Sequence, residues 1–168
     1  MSLGPIEACE ARILSLRLGY GFCELDQIED WATRLIERIE QPPHGLLQLG
    51  LARLNGVSLC LDAFAALDLG AVGPWEVLIA VASAEPARLE AETLEPVFED
   101  IWLRSLRFES LSSDKDKTAI AFLDRAFVVY DAYAGLKEGT LSAEGMRAII
   151  SDYVGVVRNA VARAGAEA

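Results

Sequence analysis

One histidine and three scattered cysteines are all the imidazole and thiol that this 168-residue chain contains. Cys9, Cys23 and Cys60 form no CxxC pair, and with His44 they do not make a zinc ligand set. A di-iron bundle needs two Glu-x-x-His motifs, which a single histidine cannot supply. The cysteines read instead as reduced structural thiols, two of them inside apolar helical patterns. His44 follows Pro42-Pro43 with no nucleophile or orienting carboxylate announced beside it, and reads as a loop or capping residue. No catalytic, metal-binding or cofactor-binding residue is assigned, and the expectation is a protein without cofactor that is not an enzyme.

Other signatures are missing too. The chain has no P-loop, no GxGxxG fingerprint and no GxSxG nucleophile elbow, and Gly70-Ala71-Val72-Gly73 reads as a helix connector. Glu95 and Glu99-Asp100 put carboxylates on one helical side, but no oxygen-rich loop makes them an EF-hand. Bases are too sparse, 15 against 26 acids, for a nucleic-acid groove. The most apolar region, Val57 to Ala84, is broken by Asp62, Asp68, Gly70, Gly73-Pro74 and Glu76, which excludes a bilayer-spanning helix there. Glu7, Glu10, Arg12 and Arg17 in the first turns do not suit a secretory signal. A soluble, cytoplasmic protein without nucleic-acid or membrane partners is expected.

What is present is apolar content, negative charge and helical spacing. Hydrophobic residues make up 52% of the chain, enough to exclude a solvated, disordered polymer. The net charge of −11 is uneven: residues 1–100 hold 17 acids and 6 bases, while residues 101–168 hold 9 of each. The field therefore belongs to the first three-fifths, where it repels phosphates and anionic membranes and speeds capture of a basic protein.

Apolar residues recur at helical intervals almost throughout. A first helix is expected over 5–18, with Ile6, Cys9, Ile13, Leu14 and Leu16 inward and Gly19 as its stop. Ile28, Trp31, Ala32, Leu35, Ile36 and Ile39 define a second, opened by a capping-box-like Asp26 and Glu29 and closed by Pro42-Pro43. Further helices are expected over 44–54, from a Ser58 cap to 69, from Pro74, and over 93–108. A polar linker at 110–116 precedes the longest, at about 117–137, whose nearly all-round apolar surface marks a central element. Gly139 ends it, and Ser142 caps the last helix. Period-two alternation is absent, so the expected fold is all-α: a single-domain bundle of six to eight helices around the 117–137 helix.

Two acidic clusters remain as candidate surface. Between Phe22 and Asp30 stand Glu24, Asp26, Glu29 and Asp30 with no base; between Glu85 and Asp100 six acids, including Glu92, Glu95, Glu99 and Asp100, face Arg88 alone. Tyr20 and Phe22 beside the first cluster can supply aromatic anchors, as can Trp75 and Trp102 elsewhere. The candidate partner-binding set is therefore Tyr20, Phe22, Glu24, Asp26, Glu29, Asp30, Glu92, Glu95, Glu99 and Asp100.

The first cluster lies within a longer pattern. Tyr20-Gly21-Phe22, Leu25-Asp26, Trp31-Ala32 and Ile36, then Pro42-Pro43, Leu46-Leu47 and Leu51-Ala52, resemble small helical immunity-type proteins of bacterial polymorphic or contact-dependent toxin systems. The resemblance covers about residues 19–53 and is structural in its motif. It implies a small acidic cytoplasmic protein that occludes a cognate toxin domain, commonly a nuclease. The expected function is thus non-enzymatic docking and neutralisation of a basic protein partner. The alternative is a helical adaptor or structural protein, possible as a homodimer, that self-associates through apolar surface.

Overall fold

The spacing rules resolve into helices throughout the computed structural model, which describes residues 3–85, 89–111 and 113–166, without the side chains of 91 and 92. The protein is all-α. In chain order run α1 (Pro5–Gly19), α2 (Leu25–Ile36), α3 (His44–Leu49), α4 (Ala52–Ala65), α5 (Pro74–Ala82), α6 (Ala91–Phe108), α7 (Asp114–Asp124), α8 (Ala126–Lys137) and α9 (Ala143–Ala166). The chain divides into two compact units, residues 1–72 and 73–168, meeting in the glycine-containing connector before Pro74.

In the N-terminal unit α4 packs against α1, α2 and α3. Ile28, Trp31, Ala32 and Leu35 on α2 meet Leu46, Leu49, Cys60 and Phe64 in one core. The side chain of Trp31 lies 6.1 Å from Phe64 between ring centroids, and its Nε1 donates to Glu10 Oε2 at 3.1 Å, joining α2 to α1. That bond satisfies the one polar atom of a largely buried indole. Ile6, expected inward, is exposed instead; α1 buries Ala8, Ala11, Leu14, Leu16 and Leu18.

The end of α1 is set by Gly21 rather than Gly19. Gly21 has φ 73°, its N–H donates to Leu18 O at 3.1 Å, and the Phe22 N–H donates to Arg17 O at 2.7 Å. This pair of bonds is a Schellman motif, which turns the residue after the glycine back onto the helix. Asp26 likewise lies inside the first turn of α2, whose N-cap is Glu24. The stop expected at Asn55-Gly56 lies within α4, where Gly56 leaves helical geometry (φ 76°, ψ 175°) and divides it into two helical pieces.

The C-terminal unit has its own core, with Val77, Leu78, Val81, Phe98, Ile101, Leu123, Met146, Ile150 and Val157 all fully enclosed. Glu76 reaches back to the Gly73 N–H at 2.8 Å to open α5. Arg158 on α9 donates to the carbonyls of Ala82 and Ala84, closing the far end of α5. As expected, Ser142 Oγ accepts from the Gly145 N–H at 3.0 Å at the start of α9.

The single central helix expected over 117–137 is a correction. It is α7 and α8, which meet at Arg125 with φ −60° and ψ −16°. At the junction the Val128 N–H donates to Arg125 O at 3.1 Å, an i→i+3 bond. The two pieces serve different neighbours: α7 packs on α5 and α6, α8 on α6 and α9. Phe127 and Val128 face outward, so the all-round apolar pattern did not signal all-round burial. The helix in contact with α5, α7, α8 and α9 is α6. The polar connection expected at 110–116 runs between Phe108 and Asp114, with Ser112 outside the described residues.

Candidate functional site

The first acidic cluster gathers on α2 and is answered by a base that sequence proximity does not reveal. Arg53, in the first turn of α4, donates from its backbone N–H to Glu29 Oε2 at 3.1 Å and from its Nε to Glu29 Oε1 at 2.8 Å. Its Nη2 also pairs with Glu29 Oε1. Asp26 Oδ1 lies 3.7 Å from the same guanidinium. These hydrogen bonds from Arg53 hold the Glu29 carboxyl below the usual carboxylate range, and Glu29 reciprocally raises Arg53. The run is base-free in the sequence but not in space.

The proposed members of this cluster therefore differ in what they offer a partner. Asp26 is 70% exposed and Asp30 and Glu24 are exposed, whereas Glu29 is turned inward onto Arg53. Tyr20 is half-buried, with its ring edge-on to Phe22 at 5.7 Å between centroids. Phe22 is only 3% exposed and is not a surface anchor, a correction that follows from the Schellman turn placing it against the helix.

Beside Arg53 runs a feature that charge counting missed. Leu47, Leu51 and Leu54 stand four and three residues apart across the short junction between α3 and α4. All three are exposed, Leu54 to 84%, and Val57 and Leu59 beyond the Gly56 kink are exposed as well. Leu51 and Leu54 lie two positions before and one after Arg53 in the sequence, the residue that holds Asp26 and Glu29. The result is a leucine ridge that shares the start of α4 with the base that answers the α2 carboxylates. Its signal was present in the sequence, as leucines at positions that the neighbouring core leucines, Leu46 and Leu49, leave on the outer side.

The second cluster belongs to the C-terminal unit, and two of its carboxylates, Glu95 and Asp100, are in ion pairs. Glu95 Oε1 accepts from Lys137 Nζ at 2.5 Å, beside a depression of about 290 Å³ that Asp131 and Glu138 also line. Asp100 Oδ2 accepts from Arg104 Nε at 2.7 Å, one helical turn on. Glu99 is exposed. The side chain of Glu92 lies outside the described residues. Two further aromatic candidates are engaged inside the same unit: Trp102 stacks on Tyr130 and packs on Phe127, and Trp75 Nε1 donates to Lys115 O at 3.0 Å.

Among the described residues, no group of three or more His, Cys, Asp or Glu side chains is placed to hold a metal ion, and no helix is long and apolar enough to cross a membrane. His44 is exposed at the start of α3. Burial pushes the Cys60 thiol upward, with the Glu29 carboxylate adding to the effect, so this thiol is a core group. Comparison with family models, with curated proteins and with solved structures found no match to the chain.

Proposed function

We propose that the protein is a non-enzymatic binding protein of the cytoplasm that docks and neutralises a basic protein partner through its N-terminal unit. The observation that carries this reading is that exposed Leu51 and Leu54 share the start of α4 with Arg53, whose guanidinium meets the α2 carboxylates of Asp26 and Glu29. An apolar centre with a charged rim is the anatomy of a protein interface. The leucines supply desolvation, and the exposed carboxylates steer the approach and select a positively charged face.

The resemblance of residues 19–53 to toxin-immunity proteins points to a toxin domain as that partner, inhibited by occlusion of its working surface. The test first asks whether a neighbouring gene encodes a toxic domain and then titrates that domain into the protein. Calorimetric titration is expected to give saturable binding that Leu51→Glu with Leu54→Glu abolishes while helicity is retained. Binding that survives both substitutions overturns this face as the docking surface.

The same ridge supports a second reading, self-association, because exposed leucines in a row suit a second copy equally well. Sedimentation velocity separates the two. A dimer that persists at about 0.5 M salt, where exposed charges are screened, and that Leu54→Glu dissolves, favours self-association. A monomer favours the basic partner.

A further inference from the structure

The C-terminal unit contains a groove of about 900 Å³ whose chemistry is opposite to that of the molecule. It forms because α7 and α9 both rest on α5 and are joined where Tyr153 Oη donates to Phe122 O at 3.0 Å. Both helices contribute to its lining, α9 with the small side chains of Ala160 and Ala164. Trp75 lies at the other end from the Tyr153 bond, held by its hydrogen bond to Lys115 O.

Its lining is cationic and aromatic. Lys115 Nζ stands 5.7 Å over the Trp75 ring, and the Arg125 guanidinium 5.2 Å over the Phe122 ring. Arg163 joins them from α9, with no carboxylate partner among the described residues. Among the described residues Asp114 is the one acid of the lining, and it pairs with Lys117 at 3.6 Å. Three cations against one carboxylate stand out in a unit whose own sequence carries 16 acids and 10 bases. Surface capping or solubility does not require cations to converge over aromatic rings around an open volume. A volume of this size falls within the range of small-molecule sites, which combine apolar walls with a few convergent polar groups.

We infer that this groove binds an amphipathic organic anion, a carboxylate or sulfonate carried on a flat apolar body. The body lies along Trp75, Phe122 and Ala160, and the head group meets Lys115 and Arg163. The surrounding negative field disfavours highly charged ligands such as polyphosphates, so a single anionic head on an apolar frame is the class that fits. The site belongs to the C-terminal unit and does not depend on the docking face described above.

The test compares two fluorescent probes of nearly the same ring system, anilinonaphthalene sulfonate and uncharged phenylnaphthylamine. The sulfonate is expected to bind at one site per chain and at least about tenfold more tightly than the neutral probe, the scale of a hydrogen bond to a charged group. Lys115→Gln with Arg163→Gln is expected to remove that preference while circular dichroism remains native. A salt titration of the unsubstituted protein provides a check independent of folding: salt weakens the sulfonate and leaves the neutral probe unchanged. Absence of sulfonate binding, equal affinity for both probes, indifference to the double substitution, or loss of the signal on Leu54→Glu in the other unit overturns the assignment.

Discussion

Arg53 grips Glu29 twice from a single residue, through its backbone N–H at 3.1 Å and its guanidinium Nε at 2.8 Å. The pair fixes the start of α4 against α2 and also offsets part of the negative face beside the leucine ridge. Both consequences are measurable.

The Glu29 carboxyl is expected to titrate below 4.5 by NMR and to move back upward in Arg53→Gln. Its folded pKa is depressed, so its contribution to stability is present above the unfolded pKa and is lost as pH falls through the folded value. The pair is solvent-accessible, and Arg53→Gln should change the unfolding free energy little at neutral pH. The same substitution leaves the face more negative, and is expected to speed association with a basic partner.

Phe64 is 1% exposed and packs on Trp31 in the N-terminal core. Phe64→Ala should cost about 3–5 kcal/mol in denaturant unfolding, the sum of lost burial and a residual cavity. Trp31 emission should shift to the red in the same variant. A loss below about 1 kcal/mol contradicts the packing described.

Gly21 and Gly19 give a paired test of the α1 terminus. Gly21→Ala forces a side chain into a left-handed conformation and should cost about 1–2 kcal/mol. Gly19→Ala lies in right-handed helix and should be near neutral or slightly favourable. Equal effects at the two positions contradict the Schellman turn that buries Phe22.

The alkaline limb of stability is set in the C-terminal unit. Burial raises the phenols of Tyr133 and Tyr153 above 10.0, and the hydrogen bond to Glu95 raises Lys137 above 10.5. All three hold protons more tightly folded than unfolded. Their contribution is therefore complete below the unfolded pKa and is lost as pH rises through the folded one. Thermal unfolding should weaken progressively above about pH 10. Tyr153→Phe should flatten that decline and cost about 1 kcal/mol at pH 7 through loss of its bond to Phe122 O.

Much of this architecture was legible in the sequence wherever one helix decided its own inner face. Ile28, Trp31, Ala32 and Leu35 are buried at the positions their spacing predicts, and Ser142 caps the last helix as its chemistry suggests. What escaped sequence reading depends on turns without strong punctuation or on distant partners. The chain bends at Arg125 with neither glycine nor proline to announce it. Phe22 looks like an exposed aromatic until the turn at Gly21 folds it inward. The base that answers Glu29 comes from another helix, and the cationic groove is assembled from α5, α7 and α9, so no local motif carries either. The exposed leucines were visible as letters, but only the placement of α3 and α4 distinguishes them from the core leucines beside them.

The central claim is that exposed carboxylates on the α2 face steer a basic partner onto the leucine ridge. The most direct measurement is the association rate constant with the basic partner identified by calorimetric titration, followed from about 0.05 to about 0.5 M NaCl. The account predicts a rate that falls steeply with salt and that Asp26→Lys with Asp30→Lys lowers by at least about tenfold at low salt. A rate indifferent to both salt and the charge reversal contradicts it.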